Sequence, residues 1–364
     1  MALPELGPEG QLKLQQARVL VVGAGGLGCP ALQYLAAAGI GTLGVMDYDV
    51  VEASNLQRQI LYSEEDIGKS KARTAQKKLS LLNSLIQVNA HTEKLHAGNI
   101  ESVFSDYDII VDGTDDLHLR YLINDVCFVM RKPMVYASLH RFQGQLSVFH
   151  YPAGDSQAPT YRCLFPEPPD DASHLTCEVL GVPAFFPGII GTMQAAEVIK
   201  MITGAGEVLI GCLLMLDALN LKFTTLSFSR SLNPETPYPS SINEITSRDY
   251  HFIKDFGEVP EISARELDLQ LAAGHEFVFV DVRNPGEQPE IPEWKSLHIP
   301  LAALDAHAGE IPKEKIVIVY CQSGIRSVTA IEKLRNHYPF QNLYNLKGGV
   351  YAWLHQVQKI KANC

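Results

Sequence analysis

The length and composition of the chain predict a soluble protein with more than one domain. It has 364 residues, of which 46% are hydrophobic and 20% charged, as is usual for globular proteins. A formal net charge of −11 argues against nucleic acid as the main partner, because that would require a basic surface. No apolar run is long enough to cross a membrane, and residues 1–16 do not resemble a signal peptide, so we expect a cytoplasmic protein.

The opening of the chain has the pattern of a Rossmann-type βαβ unit. The apolar run Arg18–Val22 predicts a strand, and a glycine-rich turn and a helix over residues 30–38 follow it. A second strand, Thr42–Met46, ends at the acidic residue Asp47. Strand, glycine turn, helix, strand and acid in this order are typical of a nucleotide-binding unit.

The alternation of helices and apolar strands continues to about Leu226. Residues 70–82 predict an amphipathic helix and residues 108–112 a buried strand, so we expect an α/β fold whose parallel sheet is covered on both faces. Residues 151–176 are rich in proline and polar side chains and predict a long crossing loop.

A second α/β domain is predicted after a proline-rich segment at residues 231–239. Helices are expected over residues 263–273 and 327–337, and strands over 277–282 and 316–320. About a hundred residues suffice for an independent domain. The predicted organisation is therefore a nucleotide-binding domain at 1–239, a linker at 240–259 and a second domain at 260–364.

The glycine turn is the first candidate ligand site. Gly23, Gly25, Gly26 and Gly28 lie between the strand and the helix, where backbone N–H groups and the helix dipole favour phosphate. Asp47 is expected to accept hydrogen bonds from ribose hydroxyls. These features also occur in dinucleotide-dependent oxidoreductases, so the turn alone leaves both classes open.

The segment after Asp47 favours nucleotidyl transfer. The sequence Ser54-Asn55-Leu56-Gln57-Arg58-Gln59 is followed by Lys71. Arg58 and Lys71 would stabilise the negative charge that develops on phosphate oxygens and departing pyrophosphate, and Asp115 would hold Mg²⁺. Alternatively, the two cations are solvated surface residues and Asp115 belongs to a turn.

Taken together, the glycine turn, Asp47-Tyr48-Asp49, the segment 54–59, Gly68-Lys69-Ser70-Lys71 and Thr114-Asp115-Asp116 resemble the MoeB/ThiF family over about residues 3–232. The resemblance implies that ATP is contacted by Gly26, Asp47, residues 54–58, Lys71, Asp115 and Asp116. It further implies adenylation of the C-terminal glycine of a small ubiquitin-like sulfur carrier protein ending in Gly-Gly. A homodimer is expected on the same ground.

Cys177 resembles a family cysteine that precedes a glycine-rich segment and a helix, here predicted at residues 192–201. The resemblance implies that this thiol joins covalently to the carrier, whereas most free cysteines are small buried hydrophobes. We expect Cys29, Cys127 and Cys212 to be such core residues, because they lie in apolar patterns.

The chain departs from the family in two places. Relatives carry two CxxC pairs that bind zinc, but the corresponding positions here are Thr160, Cys163, Thr236 and Pro239. One thiolate cannot form a tetrahedral site, so we expect no zinc. The family also begins with an arginine-containing segment that serves the neighbouring subunit, which predicts either a substitute cation or further residues before Met1.

A cysteine loop near the end of the chain is the second candidate site. Cys321 follows an apolar strand, and Arg326 ends a Cys-X4-Arg loop before a helix. Inward-pointing N–H groups would stabilise a thiolate or persulfide there. Cysteine phosphatases use the wider Cys-X5-Arg loop, so the shorter loop favours sulfur.

With Asp281-Val282-Arg283 and residues 298–301 and 346–353, the segment resembles a rhodanese domain throughout, although residues 288–296 depart from the usual pattern. The whole chain therefore resembles fused MoeB/ThiF–rhodanese proteins. This implies an ATP-dependent adenylyltransferase whose acyl-adenylate takes sulfur from a Cys321 persulfide, provided that the linker can swing. The donor, for example a cysteine desulfurase or thiosulfate, and the pathway (molybdopterin, thiamine or tRNA thiolation) stay open. A non-catalytic rhodanese module and, less favoured, a dinucleotide oxidoreductase are the alternatives.

Overall fold

The computed structural model describes residues 3–152, 158–167, 181–231, 238–248, 250 and 259–362. The described residues form two compact units, the first ending at Tyr250 and the second beginning at Val259. No helix within these ranges is long and apolar enough to span a membrane. The boundaries at 239, 240–259 and 260 stay predictions.

The first unit consists of helices and strands that alternate as far as β5. Its elements are α1 (Gly7–Gln16), β1 (Arg18–Val22), α2 (Gly28–Ala38), β2 (Thr42–Met46), α3 (Lys71–Leu82), β3 (Gln87–His91), α4 (Ile100–Ser105), β4 (Ile109–Asp112), α5 (Leu117–Met130), β5 (Met134–His140), β6 (Gln143–Phe149), α6 (Phe186–Thr203), β7 (Cys212–Asp217), β8 (Lys222–Ser227) and α7 (Ile242–Ser247).

The strands of the first unit form one sheet in the order β3-β2-β1-β4-β5-β6-β7-β8. The pairs from β3 through β5 are all parallel, which confirms the mainly parallel α/β prediction. Parallel strands put their carboxyl ends at one edge of the sheet. The turn after β1, the acid after β2 and the loop after β4 therefore meet there.

The last three strands differ from the prediction. The strands β6, β7 and β8 pair antiparallel, so the expectation of a parallel sheet as far as Leu226 was wrong. The reason is connection length: β5 and β6 are joined through Arg141 and Phe142, and two residues cannot make a parallel crossover. Every residue of β8 is exposed, so this edge of the sheet is not covered within the described residues.

Both faces of the parallel half are buried. Val19 and Val21 of β1 pack in one core with α2, α3 and α6, and Leu20 and Val22 pack in another with α4 and α5. Strands buried on both faces read as continuous apolar runs, which is why β1 and β2 were predicted with the bounds that the structure has.

Part of the segment predicted to be a linker is packed against the first unit. Ile245 of α7 is buried, and the Tyr250 hydroxyl donates a 2.8 Å hydrogen bond to Oδ2 of buried Asp125. Arg162 donates to both oxygens of the same carboxylate at 2.8 Å. The chain is therefore held as far as Tyr250, and eight residues separate this anchor from Val259.

The second unit is a smaller α/β domain. Its elements are β9 (Glu261–Ser263), α8 (Ala264–Ala272), β10 (Val278–Asp281), β11 (Leu297–His298), α9 (Leu304–His307), β12 (Val317–Tyr320), α10 (Ile325–His337), β13 (Leu343–Lys347) and α11 (Gly349–Ala362). Its sheet has the order β11-β10-β12-β13-β9, and every pair is parallel. The loop after β10 therefore lies beside the loop after β12.

Removing the Tyr250 hydroxyl should loosen the anchored segment. We expect Tyr250→Phe to destabilise the first unit by about 1–3 kcal/mol, because a buried carboxylate loses a hydrogen-bond donor. Urea unfolding should show a lower midpoint, and amides of Ile242–Ser247 should exchange faster with solvent. Tyr34→Phe, which removes an exposed hydroxyl, is the control. Unchanged exchange in Tyr250→Phe would show that the hydroxyl does not hold the segment.

Candidate active sites

Two of the four glycines in the first turn are required by the backbone itself. Gly23 has a φ of 90°, and a Cβ there would lie 2.7 Å from the carbonyl oxygen of Gly113. A Cβ on Gly28 would lie 1.8 Å from the carbonyl oxygen of Gly23. These glycines let the turn fold tightly against the neighbouring loop, whatever it binds.

The other two glycines leave the outer surface of the turn without side chains. A Cβ on Gly26 would meet Pro187 at 3.1 Å, and a Cβ on Gly25 would lie 3.6 Å from Nε2 of Gln59. The turn leads directly into α2, whose first N–H groups carry the positive end of the helix dipole. The arrangement fits a phosphate group, as the sequence predicted.

Asp47 is tied to the glycine turn. Its Oδ2 accepts a 2.8 Å hydrogen bond from the Ala24 N–H, and its Oδ1 accepts one of 2.9 Å from the Asp49 N–H. Burial raises the pKa of Asp47, while the positive charge of Lys71 opposes the shift. Each carboxylate oxygen has a second lone pair, so Asp47 can still accept a bond from a ribose hydroxyl.

Lys71 is not a solvated surface residue. It is the first residue of α3, is only 6% exposed, and its Nζ lies 2.9 Å from Oδ2 of Asp49. The positive charge of Lys71 also acts on Asp47, so the lysine belongs to the same polar cluster as the acids after β2. Asp49 was predicted as part of the motif but not as a partner of Lys71.

Arg58 lies over the glycine turn. Its Cδ is 3.8 Å from the position of a Cβ on Gly26, and its Nη1 donates a 3.2 Å bond to the Ser54 carbonyl. The short helix Ala53–Asn55 sets this geometry, and Asn55 is buried within it. The structure thus places Arg58 over the glycine turn and joins it to Ser54, and contact of these residues with ATP stays a prediction.

The remaining residues of the motif include one that packs against the core and one further candidate ligand contact. Leu56 packs against the core, and Gln57 is exposed. Gln59 was not among the predicted ligand residues, yet it is 3% exposed beside Gly25, and its Oε1 accepts no hydrogen bond from the described residues. A buried carbonyl without a donor is costly, which makes Gln59 a further candidate contact.

Asp115 and Asp116 differ in role although they are adjacent. Asp115 is exposed in the loop after β4. Asp116 is the N-cap of α5, and its Oδ1 accepts bonds from the N–H groups of His118 and Leu119 at 2.9 and 3.1 Å. Asp116 therefore supports the helix, whereas Asp115 has the exposure that a Mg²⁺ ligand needs.

The acidic residues after β2 and β4 share one electrostatic environment. Burial raises the pKa of Tyr48, and the negative charges of Asp49, Asp116, Asp47 and Asp115 raise it further. Mg²⁺ in nucleotide sites is held by one or two carboxylates together with phosphate oxygens and water. In the described part of the chain no three His, Cys, Asp or Glu residues could hold a metal by themselves, so Asp115 fits a Mg²⁺ that arrives with a nucleotide.

A buried ion pair supports the loop that carries Asp115. Asp112 at the end of β4 accepts a 2.8 Å bond from Arg120 Nε, and its Oδ1 accepts the Thr114 N–H at 3.0 Å. Arg120 also donates to the Thr114 carbonyl at 2.6 Å. Since Asp112 is fully buried, loss of Arg120 would leave an uncompensated charge beneath the loop.

The second site is built at the end of β12. Cys321 is fully buried, and its Sγ accepts a 3.2 Å hydrogen bond from the Gly324 N–H. The hydroxyl of Ser327 lies 3.5 Å from the same sulfur. Gly324 has a φ of 90° and precedes α10, so the loop turns its N–H groups and the start of a thirteen-residue helix towards the sulfur. This surrounding favours a negatively charged sulfur.

Arg326 forms an ion pair with Glu287 in addition to its interaction with the cysteine loop. Its Nη1 and Nη2 lie 2.6 and 2.7 Å from the two carboxylate oxygens of Glu287, which raises the pKa of Arg326. Cys321 makes a smaller contribution of the same sign. Glu287 was not among the predicted site residues. It lies in the loop after β10, which the parallel pairing of Asp281 with Tyr320 places beside Cys321, and this neighbourhood follows only from the strand order.

The remaining cysteines have separate environments. Cys177 lies outside the described residues. Cys29 and Cys127 are fully buried, as expected, and burial raises the pKa of Cys29 to about 12 and also raises that of Cys127. Cys212 is only partly buried, because it begins β7, so the expectation that it is a core residue was wrong. A neutral, buried thiol is a poor nucleophile, so Cys29 is inert although it lies beneath the glycine turn.

The region where relatives would bind zinc has a different arrangement. The Sγ of Cys163 accepts bonds from the N–H groups of Thr160 and Ser231, both at 3.4 Å, and the Thr160 hydroxyl is hydrogen-bonded to that of Tyr238. Thr236 lies outside the described residues. Hydrogen bonds here link the segments that a zinc ion would otherwise join.

Metal analysis of the purified protein should find no stoichiometric zinc, since one thiolate cannot form a tetrahedral site. Treatment with a strong chelator should leave the thermal unfolding midpoint unchanged. One zinc per chain, or a drop in the midpoint with chelator, would show that other residues supply the ligands.

Comparison with known proteins finds a matching family for each half of the chain. The ThiF family profile matches residues 1–237, and the profile of the rhodanese-like domain matches residues 263–356. The "Probable adenylyltransferase/sulfurtransferase MoeZ" of Mycobacterium tuberculosis is 37% identical over 98% of this chain and 92% of its own length. The "Sulfur carrier protein adenylyltransferase" of Thermus thermophilus is 46% identical over 65% of this chain and 87% of its own length.

Solved structures resemble about three fifths of the chain. A crystal structure of E. coli MccB with ATP has a TM-score of 0.53 and 25% identity, and covers 61% of this chain and 67% of its own. Another, of MccB with MccA-N7isoASN, has a TM-score of 0.55 and 26% identity, with the same coverage.

The fold joins an α/β unit that carries a glycine turn to a smaller α/β unit that carries a cysteine loop. The chain belongs to the ThiF family and carries a C-terminal rhodanese-like domain. It is an enzyme of the adenylyltransferase and sulfurtransferase class, as predicted, and these matches favour that class over a dinucleotide oxidoreductase.

Proposed function

We propose that this enzyme uses ATP to adenylate the C-terminal glycine of a small ubiquitin-like sulfur carrier protein and then replaces the adenylate with sulfur from Cys321. The observation that carries the proposal is the presence of both sites in one chain, together with an adenylyltransferase/sulfurtransferase relative that matches 98% of it. The sulfur carrier as substrate is supported by the name of the Thermus thermophilus relative.

The residues at this edge of the sheet have different roles in adenylation. Asp47 accepts the ribose hydroxyls, and the turn at Gly25 and Gly26 faces the phosphates. The carboxylate of the carrier attacks the α-phosphorus, a P–O bond to the β-phosphate breaks, and pyrophosphate leaves with the electron pair. Arg58 and Lys71 stabilise the charge on the transferring and departing oxygens. Mg²⁺ held at Asp115 would supply further positive charge to the phosphates.

The sulfur step uses the loop of the second unit. A Cys321 persulfide attacks the acyl-adenylate carbonyl carbon, AMP leaves, and an acyl disulfide forms between the carrier and Cys321. A thiolate then attacks the Sγ of Cys321 and releases the carrier thiocarboxylate. Cys177 is the proposed attacking thiol, and the disulfide it forms with Cys321 is reduced by an external thiol. The Gly324 N–H stabilises negative charge on the Cys321 sulfur.

Two parts of the proposal follow from the family resemblance alone: a carrier ending in Gly-Gly and a homodimer. The proposed cytoplasmic location rests on the composition of the chain and not on this resemblance. Fusion of the two units would raise the local concentration of persulfide near the adenylate, provided that the linker can swing.

Substitution of the two site cations should suppress adenylation. We expect Arg58→Ala and Lys71→Met each to lower carrier-dependent ATP–pyrophosphate exchange by about 10²–10³-fold, since each removes a preorganised charge from the transition state. Lys69→Met is the matched control, because Lys69 is an exposed lysine two residues from Lys71. A folded variant with wild-type exchange would remove that residue from the proposed site.

Substitution of the loop cysteine should separate the two half-reactions. Cys321→Ser is expected to keep pyrophosphate exchange and to lose thiocarboxylate formation from a persulfide donor, because a hydroxyl cannot carry sulfane sulfur. Mass spectrometry of the carrier measures the product, since exchange of oxygen for sulfur adds about 16 Da. Cys163→Ser, a half-buried cysteine that contacts neither site, is the control.

Two further outcomes complete that test. Inorganic sulfide should restore thiocarboxylate in Cys321→Ser, because sulfide attacks the adenylate directly. If Cys321→Ser forms undiminished thiocarboxylate from the persulfide donor, the rhodanese-like domain is not the sulfur relay and the alternative of a non-catalytic module is correct.

A further inference from the structure

We propose that Glu287 determines which sulfur donors Cys321 accepts: by neutralising Arg326, it selects against doubly negative donors such as thiosulfate and favours thiol persulfides. The inference rests on the proposed role of Cys321 as sulfur acceptor. It concerns the charge that an incoming donor meets at the cysteine loop.

The ion pair has the geometry of a strong interaction. Both nitrogens of the Arg326 fork contact both oxygens of Glu287, at 2.6 and 2.7 Å. The side chains are 18% and 28% exposed, so solvent screens the pair only in part. The hydrogen bonds from Arg326 lower the pKa of Glu287, which therefore stays negatively charged at neutral pH. Arg326 thus has a carboxylate partner before any donor arrives.

The second arginine beside the loop is also paired. Arg283 is buried, and its Nε and Nη2 donate to Asp281 at 2.9 and 2.7 Å. Its Nη1 donates to the Gln322 side chain at 3.1 Å. The two arginines and the two carboxylates together carry no net charge. The Gly324 N–H, the Ser327 hydroxyl and the paired Arg326 interact with the sulfur. With the start of a helix beside them, these groups suit the single negative charge of a persulfide.

The segment that carries Glu287 is fastened to the cysteine loop. The Asn284 N–H donates to Oε1 of Glu287 at 2.7 Å, which fixes the carboxylate on its own turn. The Gln322 side chain donates to the Gln288 carbonyl at 3.1 Å. Bonds on both sides of the ion pair therefore hold Glu287 in place, so its charge is a permanent part of the site.

The two donor classes make different electrostatic demands in the same reaction. The Cys321 thiolate attacks the outer sulfur of a thiol persulfide, the S–S bond breaks, and the donor thiolate leaves with the electron pair. With thiosulfate, the same attack on the outer sulfur releases sulfite. Neither reaction needs a further oxidant or reductant. Thiosulfate, however, brings two negative charges to a thiolate, and a neutralised arginine does not offset them.

The test measures persulfidation of Cys321 in the full-length protein by intact mass, an increase of about 32 Da, in single-turnover experiments. The donors are thiosulfate and cysteine persulfide, whose net charges at neutral pH differ by one. We expect Glu287→Gln, which keeps the side-chain shape but removes the charge, to raise the thiosulfate rate constant by about tenfold. The cysteine persulfide rate constant should change by less than about threefold. Glu290→Gln, an exposed glutamate three residues away, carries the same charge change and should alter neither rate constant.

Ionic strength provides an independent readout that a folding defect would not reproduce. Added salt should lower the thiosulfate rate constant in Glu287→Gln, where Arg326 is released, and should not lower it in the wild type. Equal changes for both donors, or no rise with thiosulfate, would overturn the role of Glu287 while leaving the sulfurtransferase proposal intact. If wild-type Cys321 takes sulfur from neither donor, the proposed function itself fails and this inference fails with it.

Discussion

The close backbone contact between the turn after β1 and the loop after β4 is the constraint on which the nucleotide site depends. The Gly113 N–H donates to the Val22 carbonyl at 2.8 Å, and a side chain on Gly23 would clash with Gly113. Because the two loops touch, the glycine turn and Asp115 share one edge of the sheet. The buried pair of Asp112 and Arg120 keeps the second loop in register with the first.

The same construction recurs in the second unit with a different electrostatic result. A positive-φ glycine, Gly324, lets a strand pass into a helix start, and a Cβ on it would lie 2.8 Å from the Gly348 N atom. In the first unit the buried Lys71 pairs with Asp49, and Arg58 lies over the glycine turn. In the second, Arg326 pairs with Glu287, and the sulfur accepts a hydrogen bond from the Gly324 N–H. Both sites thus contain a paired cation, and they differ in the groups that surround the pair.

The chain remains packed against the first unit beyond its last strand. The helix α7 and Tyr250 belong physically to the first unit, because Ile245 is buried in its core and Asp125 accepts a hydrogen bond from the Tyr250 hydroxyl. The buried Asp125 is also held by Arg162, which lies in the segment predicted to cross the domain. One carboxylate thus joins the two segments.

The sequence by itself determined the family, the α/β class and the strands β1 and β2, because these depend on local periodicity and short motifs. The motifs also named Lys71 and Arg58, but the fold sets their positions beside Asp49 and over Gly26. Only the tertiary structure decided that β6 to β8 run antiparallel, that Asp49 pairs with Lys71 and that Glu287 pairs with Arg326. The physical reason is distance along the chain: strand order and parallel register bring together loops that are 39 residues apart, as with Glu287 and Arg326, and no local pattern encodes which charged partner each side chain meets.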